Sequence, residues 1–458
     1  MNPADLFQCS DVLKSLDAKM REGESERIIV WPKTNVPLSS SPSQNELRYV
    51  ESTCDLTSIL IDPSEVAGCD QQISTLEKHG LLESDFHDRV KMITVKLAEQ
   101  ITELNDDLAI NREVLKSFED FQTVKEIWDR FKVDPLNSFS WNLSWWNAFQ
   151  SHGDLHLIKF ERAGETVGLA PLYVDRWFGL NRLRFLATGD ACTDYVDLVC
   201  HPEHYELCVY SLAEYIRSET FDVVELDCTR DDRLALLLKQ HLGQNYSFDH
   251  RSVEPTWRLE LPESWEQFRT AAKKSLRRKI NKAVRRLESK EFSISSSPQV
   301  PIEEAFETLK RLHTLRFEIK GEPGVFADTQ FESFLRSAVL DFARDGKCVI
   351  VMGSQEGRAI AAQLYFDSAD GFQLYQSGYD PDAMKLEPGH LLFTAMVQKA
   401  IARGDSSFDF LRGNEPYKEY WGAKPHAQNK LRMVVKKALP TLIAKFVVTC
   451  RSVLRKNT

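Results

Sequence analysis

The same order of predicted segments occurs twice along the chain, and this repetition constrains the fold more than any other feature. In the first occurrence one helix, 203–218, lies among five strands, which are predicted at 155–161, 165–175, 183–188, 194–200 and 221–228. In the second, two helical segments are followed by strands at 347–354, 358–368 and 371–380, a helix from 388 to about 403 and a strand at 408–411. Alternating strands and helices predict an α/β fold with mixed sheets flanked by helices. We therefore predict two related domains in tandem.

The length of the chain supports this division. A chain of 458 residues exceeds the roughly 250–300 residues at which a single hydrophobic core stops growing. We predict an acidic N-terminal appendage over 1–112, domains over 113–252 and 253–435, and a basic amphipathic tail helix over 436–458.

Charge is distributed unevenly between the two ends. Residues 1–110 contain 20 acidic and 10 basic side chains, whereas nine Lys and Arg and no acidic residue follow Glu419. This asymmetry favours an anionic ligand or surface for the C-terminal part. In the appendage, apolar residues between Phe86 and Leu108 recur at spacings of three and four, which predicts a helix. That helix either packs on its own domain or forms a homodimer or partner contact.

Composition and the chain start predict a cytoplasmic location. The nine cysteines are scattered, odd in number and without a Cys-x-x-Cys pair, which argues against disulfides or a zinc site. We expect no signal peptide and no membrane span. The tail from Leu439 has one apolar and one basic helical face, so it either docks on the body or contacts an anionic membrane surface peripherally.

The dipeptide Pro388-Gly389 begins a predicted helix between two predicted strands. The first N–H groups of a helix have no intrahelical partners and can hold phosphate, and Gly389 would allow close approach to the backbone. The pattern fits a pyrophosphate-bearing cofactor such as coenzyme A, with an ordinary helix start as the alternative. P-loop, Gly-x-Gly-x-x-Gly, Gly-x-Ser-x-Gly and His-Glu-x-x-His motifs are absent.

Basic residues dominate a segment that reads as one continuous helix, 268–288. Between Glu266 and Glu288 it contains no acid, although solvated helix faces usually mix both signs. This favours attraction of phosphate groups, with a merely soluble face as the alternative. Aromatic residues for stacking on bases are missing, so we expect no sequence-specific nucleic-acid binding. Farther on, Arg316 lies on the apolar face of the helix predicted over 302–320, where it needs a carboxylate, phosphate or carbonyl partner. The candidates are Asp409, Glu415 and a substrate anion. His313, beside it, is predicted to be packed or capping.

The stretch FDFLRGNEPYKEYWG, 408–422, begins as a strand and then concentrates charges and aromatic rings. With the segments KSLRRKINKAVRRLE, LHTLR, GRAIAAQLYF and YQSGYDPDAMKLEPGHLL, it resembles the GNAT-like acyltransferases of the CelD (cellulose-biosynthesis) type, relatives of the Fem aminoacyltransferases. The first half is similar through FSWNLSWWNAF, ETVGLAPLYV and LRFLATGDACTDYVDLV, so the likeness covers about residues 118–435.

The resemblance implies two tandem GNAT-like domains, the first non-catalytic and forming one wall of the cleft. It also implies the following site residues, with no metal: catalytic Asp409, Glu415, Tyr417 and Lys418; substrate-binding Arg277, Arg278, Arg316 and Tyr379; and cofactor-binding Ser377, Gly378, Pro388, Gly389 and His390.

The implied reaction moves an acyl group, most simply acetyl, from acyl-CoA to an amine or hydroxyl of an anionic acceptor. That acceptor would be a small molecule or a lipid- or nucleotide-linked envelope or exopolysaccharide precursor. Two alternatives stay open: a Fem-like transferase that uses aminoacyl-tRNA, and a catalytically inactive GNAT-like protein that holds a polysaccharide-synthesis complex together.

Overall fold

Two mixed sheets flanked by helices make up the described part of the protein, as the sequence predicted. The computed structural model describes residues 110–436, except 132, 192 and 290. The predicted N-terminal helix at 86–108 and the tail helix beyond 436 lie outside these residues.

The first sheet has the strand order β1-β2-β3-β4-β6-β15-β7, with β5 paired to β3. Its strands are β1 (Asn111–Leu115), β2 (Gly153–Arg162), β3 (Glu165–Trp177), β4 (Leu180–Phe185), β5 (Val199–Cys200), β6 (Val223–Thr229), β7 (Tyr246–Ser252) and β15 (Asn429–Val435). The strand predicted over 194–200 is thus reduced to two residues.

The second sheet has the order β14-β8-β13-β12-β11-β10-β9. Its strands are β8 (Thr256–Glu260), β9 (Ser293–Ser296), β10 (Cys348–Gln355), β11 (Arg358–Asp367), β12 (Phe372–Tyr379), β13 (Ser407–Arg412) and β14 (Lys424–His426). Strand β15 follows β14 in the chain but pairs with β6 and β7 of the first sheet. The end of the predicted second domain, 253–435, therefore completes the first sheet.

Eleven α-helices of the described residues cover the sheets. They are α1 (Phe118–Thr123), α2 (Lys125–Arg130), α3 (Phe139–Phe149), α4 (Tyr205–Ser218), α5 (Arg233–Leu242), α6 (Trp265–Ala271), α7 (Lys274–Glu288), α8 (Ile302–Glu318), α9 (Thr329–Arg344), α10 (Pro388–Arg403) and α11 (Pro416–Tyr420). None of the helices that the structure describes is long and apolar enough to cross a bilayer.

The basic segment predicted as one helix is two helices, and this prediction was wrong. The chain is extended at Ala272 (ψ 140°) and Lys273 (ψ 147°), between α6 and α7. Phe268 of α6 stacks on Trp421, whereas Leu276 and Ile280 of α7 are buried in the core shared with α10. All of these side chains lie in one core, so tertiary packing and not the continuous helical pattern decides where the helices break.

An aromatic core connects the two halves. Trp141 of α3 is fully buried and makes edge-on contacts with Phe334 of α9 and with Phe366 and Tyr375 of the second sheet. Its indole N–H donates to the hydroxyl of Thr193, 2.9 Å away. Such aromatic pairs contribute about 1 kcal/mol each beyond the burial of their area, so α3 fixes the first sheet's segments against the second sheet.

Candidate active site

The parallel strands β12 and β13 diverge, and this divergence creates the candidate site. Their pairing is confined to one register position, Gln373 opposite Asp409. Helix α10 connects the two strands, so its N-terminus follows the carboxyl end of β12. Leu411 (φ 54°) lies in a bulge of β13, after which Arg412 still pairs with Thr256 of β8, and Gly413 (φ 118°) directly follows the strand. We call the space between the diverging strand ends the cleft.

Asp409 lies at the closed base of the cleft. It is buried, and its Oδ2 accepts a hydrogen bond of 2.5 Å from the hydroxyl of Tyr195. Its Oδ1 accepts from the N–H of Leu411 at 2.7 Å, and Nη2 of Arg258 lies 3.7 Å from Oδ2. Burial raises the pKa of this carboxyl, against the lowering by these partners. The predicted catalytic residue thus holds Tyr195 and the turn at Leu411 in place.

Asp134, which the sequence analysis missed, is a second acid at this base. Its Oδ2 accepts a 2.7 Å hydrogen bond from Nε2 of Gln373, the residue opposite Asp409. Burial raises the pKa of Asp134 from 3.8 to about 6, with Gln373 and the N–H of Leu136 opposing the rise. Its only sequence signal is its position before Pro135, where it caps a short 3₁₀ turn.

This raised pKa gives a testable pH dependence of stability. The folded protein binds a proton on Asp134 more tightly than the unfolded chain does, so its contribution is greatest below pH 4 and is lost as the pH rises to about 6. A shift of about 2 pKa units corresponds to about 3 kcal/mol. We expect Asp134→Asn to show less of this loss, because an amide does not titrate. Gln373 can turn its unpartnered Oε1 toward the new amide, so the variant keeps a hydrogen bond here.

The measurement is the free energy of urea unfolding at pH 4 and pH 7.5, with the exposed Asp129→Asn as control. The same loss of stability between these pH values in Asp134→Asn and in the wild type would contradict this prediction.

Arg316 forms one wall of the cleft. Its Nη1 donates to Oγ of Ser377 on β12 at 3.1 Å, and its guanidinium lies 5.2 Å from the ring centre of Tyr379. Its Nε is buried without a partner in the structure. The predicted ion pair with Asp409 or Glu415 is wrong for the described residues, because these acids pair with Arg258 and Lys418 respectively. Arg316 therefore retains donor capacity beside the predicted site residues Ser377 and Tyr379.

Gly378, predicted to bind cofactor, is explained by packing. A Cβ at this position would lie 2.3 Å from the backbone nitrogen of His313 on α8. The helix therefore contacts β12 directly, and this contact brings Arg316 over Ser377 and Tyr379. His313 is packed as predicted: it is buried, stacks on Phe317, and has its pKa lowered to about 4, chiefly by burial.

Lys418 secures the end of β13. The side chain is only 1% exposed, and its Nζ donates to the carbonyl oxygens of Leu411, Arg412 and Gly413. The same nitrogen lies 3.0 Å from Oε2 of Glu415, whose side chain is 45% exposed. Gly413 has a φ of 118°, a conformation that side chains with a Cβ rarely adopt, so glycine is favoured there. Because its donors are occupied, this geometry favours a positioning role for Lys418 over the predicted contact with substrate.

Tyr417 is held by aromatic contacts beside the cleft. Its ring stacks on Phe393 of α10 at 5.3 Å and meets the edge of Phe410. Burial, followed by the charge of Glu415, raises the pKa of its hydroxyl, and the positive charge of Arg316 opposes the rise. Tyr417 is therefore a neutral hydroxyl donor within the electrostatic reach of Arg316.

The start of α10 is the predicted phosphate cradle. The helix begins at Pro388 as predicted, and a Cβ added to Gly389 would meet no atom within 4 Å, so the backbone there is accessible. His390 stacks on Trp421, and its Nδ1 accepts a hydrogen bond from the Trp421 indole at 3.0 Å. Burial and then Lys279 lower the pKa of His390 to about 4, so the imidazole is neutral.

Three cations of α7 contact this helix start, and they differ from the two that were predicted. Nζ of Lys279 lies 2.7 Å from Glu387, Lys282 lies 3.9 Å from the same carboxylate, and Arg286 donates to the carbonyl of Leu386. The spacing of three and four places them on one helix face. The predicted Arg277 instead donates to Thr270, and Arg278 is exposed to solvent. The helical phase relative to Leu276 and Ile280 could have indicated this face from the sequence.

The corresponding space in the first sheet is occupied by the chain itself. Strands β4 and β6 are also parallel, paired from Arg182–Val223 to Arg184–Glu225. The segment after β4 then returns along β6, where Val196 bridges Thr229. From this segment Asp194 pairs with Arg412 of β13, and Tyr195 bonds Asp409. The segment that fills the first space therefore also closes the base of the cleft.

Comparison with known proteins agrees with this geometry. Residues 272–419 match the model of the acetyltransferase (GNAT) domain family, and this range contains α8, β12, α10 and β13. The chain carries a transferase domain of the GNAT acetyltransferase type. No curated protein matches the sequence. Among the described residues, no group of His, Cys, Asp and Glu could hold a metal ion.

Solved structures extend the likeness to both sheets. A FemX crystal structure is 14% identical, with a TM-score of 0.52 over 70% of this chain and 98% of its own. The C-terminal domain of a putative lysylphosphatidylglycerol synthetase from Agrobacterium fabrum is 10% identical, with a TM-score of 0.46 over 72% and 95%. A tandem GNAT protein of the clavulanic acid pathway is 12% identical, with a TM-score of 0.39 over 71% and 98%. At its identity, the FemX likeness establishes a shared fold and not a shared reaction.

Proposed function

We propose that the protein transfers an acyl group, most simply acetyl, from acyl-CoA to an amine or hydroxyl acceptor in the cleft between β12 and β13. The observation that carries this proposal is the cleft itself: two parallel strands paired at one position, with an accessible helix start at the end of the first. A slender donor arm fits between diverging strands, and the N–H of Gly389 with the ammonium of Lys279 suits its phosphates.

The wall residues supply the chemistry that acyl transfer needs. The nucleophile forms a bond to the thioester carbonyl carbon as the C–S bond breaks, and the proton it loses balances the one that the thiolate gains. Arg316 has a free donor beside Ser377 and Tyr379, where it would stabilise the developing oxyanion. Tyr417 has a neutral hydroxyl that would give its proton to the leaving thiolate, and the proton lost by the nucleophile would restore that hydroxyl. Asp409, Lys418 and Glu415 would hold these groups in position.

The identity of the acceptor is also part of this proposal. The CelD-type resemblance supports an envelope or exopolysaccharide precursor, and the first sheet, whose own space is filled, would be the non-catalytic wall. Glu387 is the observation that favours the aminoacyl-tRNA alternative, because its carboxylate lies at the helix start where a pyrophosphate would bind, and pairing with Lys279 keeps its pKa low. An inactive binding protein is the third candidate.

A titration with acetyl-CoA tests the donor. We expect calorimetry to show binding, and Glu387→Ala to raise the affinity about five- to tenfold, because it removes a negative charge and frees Lys279. Glu288→Ala is the control and should bind like the wild type, because Glu288 is an exposed acid at the C-terminal end of α7. Absence of binding to both proteins would exclude acyl-CoA. Transfer from aminoacyl-tRNA would then support the second candidate, and no turnover with either donor the third.

A further inference from the structure

Two exposed apolar side chains lie at the mouth of the cleft. Ile319 is 71% exposed and Met384 is 59% exposed, more than any other large hydrophobic residue that the structure describes. Isolated exposed apolar residues are common, but two beside a candidate active site suggest a contact surface.

Their places in the fold put them on opposite sides of the same strand end. Ile319 ends α8, one turn beyond Arg316, which is bonded to Ser377. Met384 lies in the 3₁₀ turn Pro381–Leu386 that follows β12, and Arg286 of α7 holds the end of that turn. Helix α8 packs in one core and α7 in another, on the two faces of the sheet. We call Ile319–Lys320 and Met384–Lys385 the rim.

The charges around the rim favour an anionic surface. Lys320 and Lys385 directly follow the two apolar residues, and α7 adds four exposed cations: Lys274, Arg278, Lys282 and Arg285. The exposed acids Glu318, Glu322 and Asp382 offset the rim lysines, so most of the positive potential comes from α7.

Aliphatic side chains enter the interfacial layer of a bilayer, while lysines remain at its phosphates. Aliphatic side chains do not stack on bases, which makes RNA the weaker candidate for this surface.

We propose that the rim docks the mouth of the cleft on an anionic lipid bilayer, so that a lipid-linked acceptor reaches the cleft from the membrane. The docking itself goes beyond the proposed reaction and can be tested without turnover. The identification of the acceptor as lipid-linked rests on the proposed function.

Co-sedimentation of the full chain with mixed phosphatidylcholine–phosphatidylglycerol vesicles tests the docking. We expect the double variant Ile319→Asp, Met384→Asp to lower the partition coefficient at least tenfold. Lys320→Ala and Lys385→Ala should each lower it by up to about fivefold. Phe178→Asp is the matched control, because Phe178 is 48% exposed in the turn between β3 and β4. The thermal unfolding midpoint of each variant verifies folding.

Three results would overturn the proposal: no vesicle binding by the wild type, equal binding by the rim variant, or an equal loss in Phe178→Asp. Equal binding by the rim variant includes the case in which the predicted tail helix provides all of the binding. Acetyl-CoA binding is measured on the same variants, so that failure of docking and failure of the proposed reaction are recorded separately.

Discussion

Replacement of Lys418 by methionine is expected to destabilise the folded protein by about 3 kcal/mol or more. Methionine is unbranched like lysine but lacks the terminal nitrogen and donates no hydrogen bond, so the carbonyls of Leu411, Arg412 and Gly413 lose their common donor. A buried acceptor left unpaired costs about 1–3 kcal/mol. Urea unfolding measures the loss directly.

Glu415→Gln is the matched control for this substitution. Glu415 is half exposed and contributes only one ion pair to the same nitrogen, so we expect a change below about 1 kcal/mol. If Lys418→Met retained wild-type stability but lost turnover, Lys418 would act on substrate directly, as the sequence analysis predicted, and the positioning role would be wrong.

Replacement of Arg316 by glutamine is expected to lower the turnover of acetyl-CoA about 100-fold while the protein remains folded. The loss of one preorganised donor at a developing oxyanion has effects of this order. Arg316 bonds a hydroxyl and covers the rings of Tyr379 and Phe317, so the folded structure depends on it less than on Lys418. Thiol release from acetyl-CoA measures the effect.

Arg311→Gln is the control for Arg316. Arg311 lies on the same helix but on its exposed side, where it donates to the carbonyl of Ala359. We expect it to retain turnover within about twofold, since surface substitutions away from a site have small effects. A loss equal to that of Arg316→Gln would indicate that any change on α8 disturbs the cleft, and would remove the argument for an oxyanion donor.

The segments that repeat along the chain were predictable because their signals are local. The helix start at Pro388 and the strands β10, β11 and β12 were predicted, and each depends on residues close in sequence. The break at Ala272–Lys273 was not predictable in this way. It depends on how Phe268 and Leu276 pack in one core with residues distant in sequence, Phe268 being stacked on Trp421.

The sequence predicted where the candidate site lies, but not what each of its residues does. The sequence identified the strand end at Asp409–Lys418 and the start of α10, but it could not show that Tyr195 reaches Asp409 across 214 positions. For the same reason it could not exclude Asp409 and Glu415 as partners of Arg316, because their other neighbours decide the pairing. Asp134 was missed because only its contact with Gln373 gives it a place at the site.

Hydrogen exchange with and without acetyl-CoA tests the central claim most directly, because it locates the donor as well as detecting it. If acyl-CoA binds in the cleft, we expect the amides at the end of β12 (residues 376–379) and in the first turn of α10 to be protected. We expect no change at the start of α4 in the first sheet's half. Protection at α4 alone, or exchange unchanged everywhere at saturating acetyl-CoA, would contradict the assignment of the cleft between β12 and β13 as an acyl-CoA-dependent transferase site.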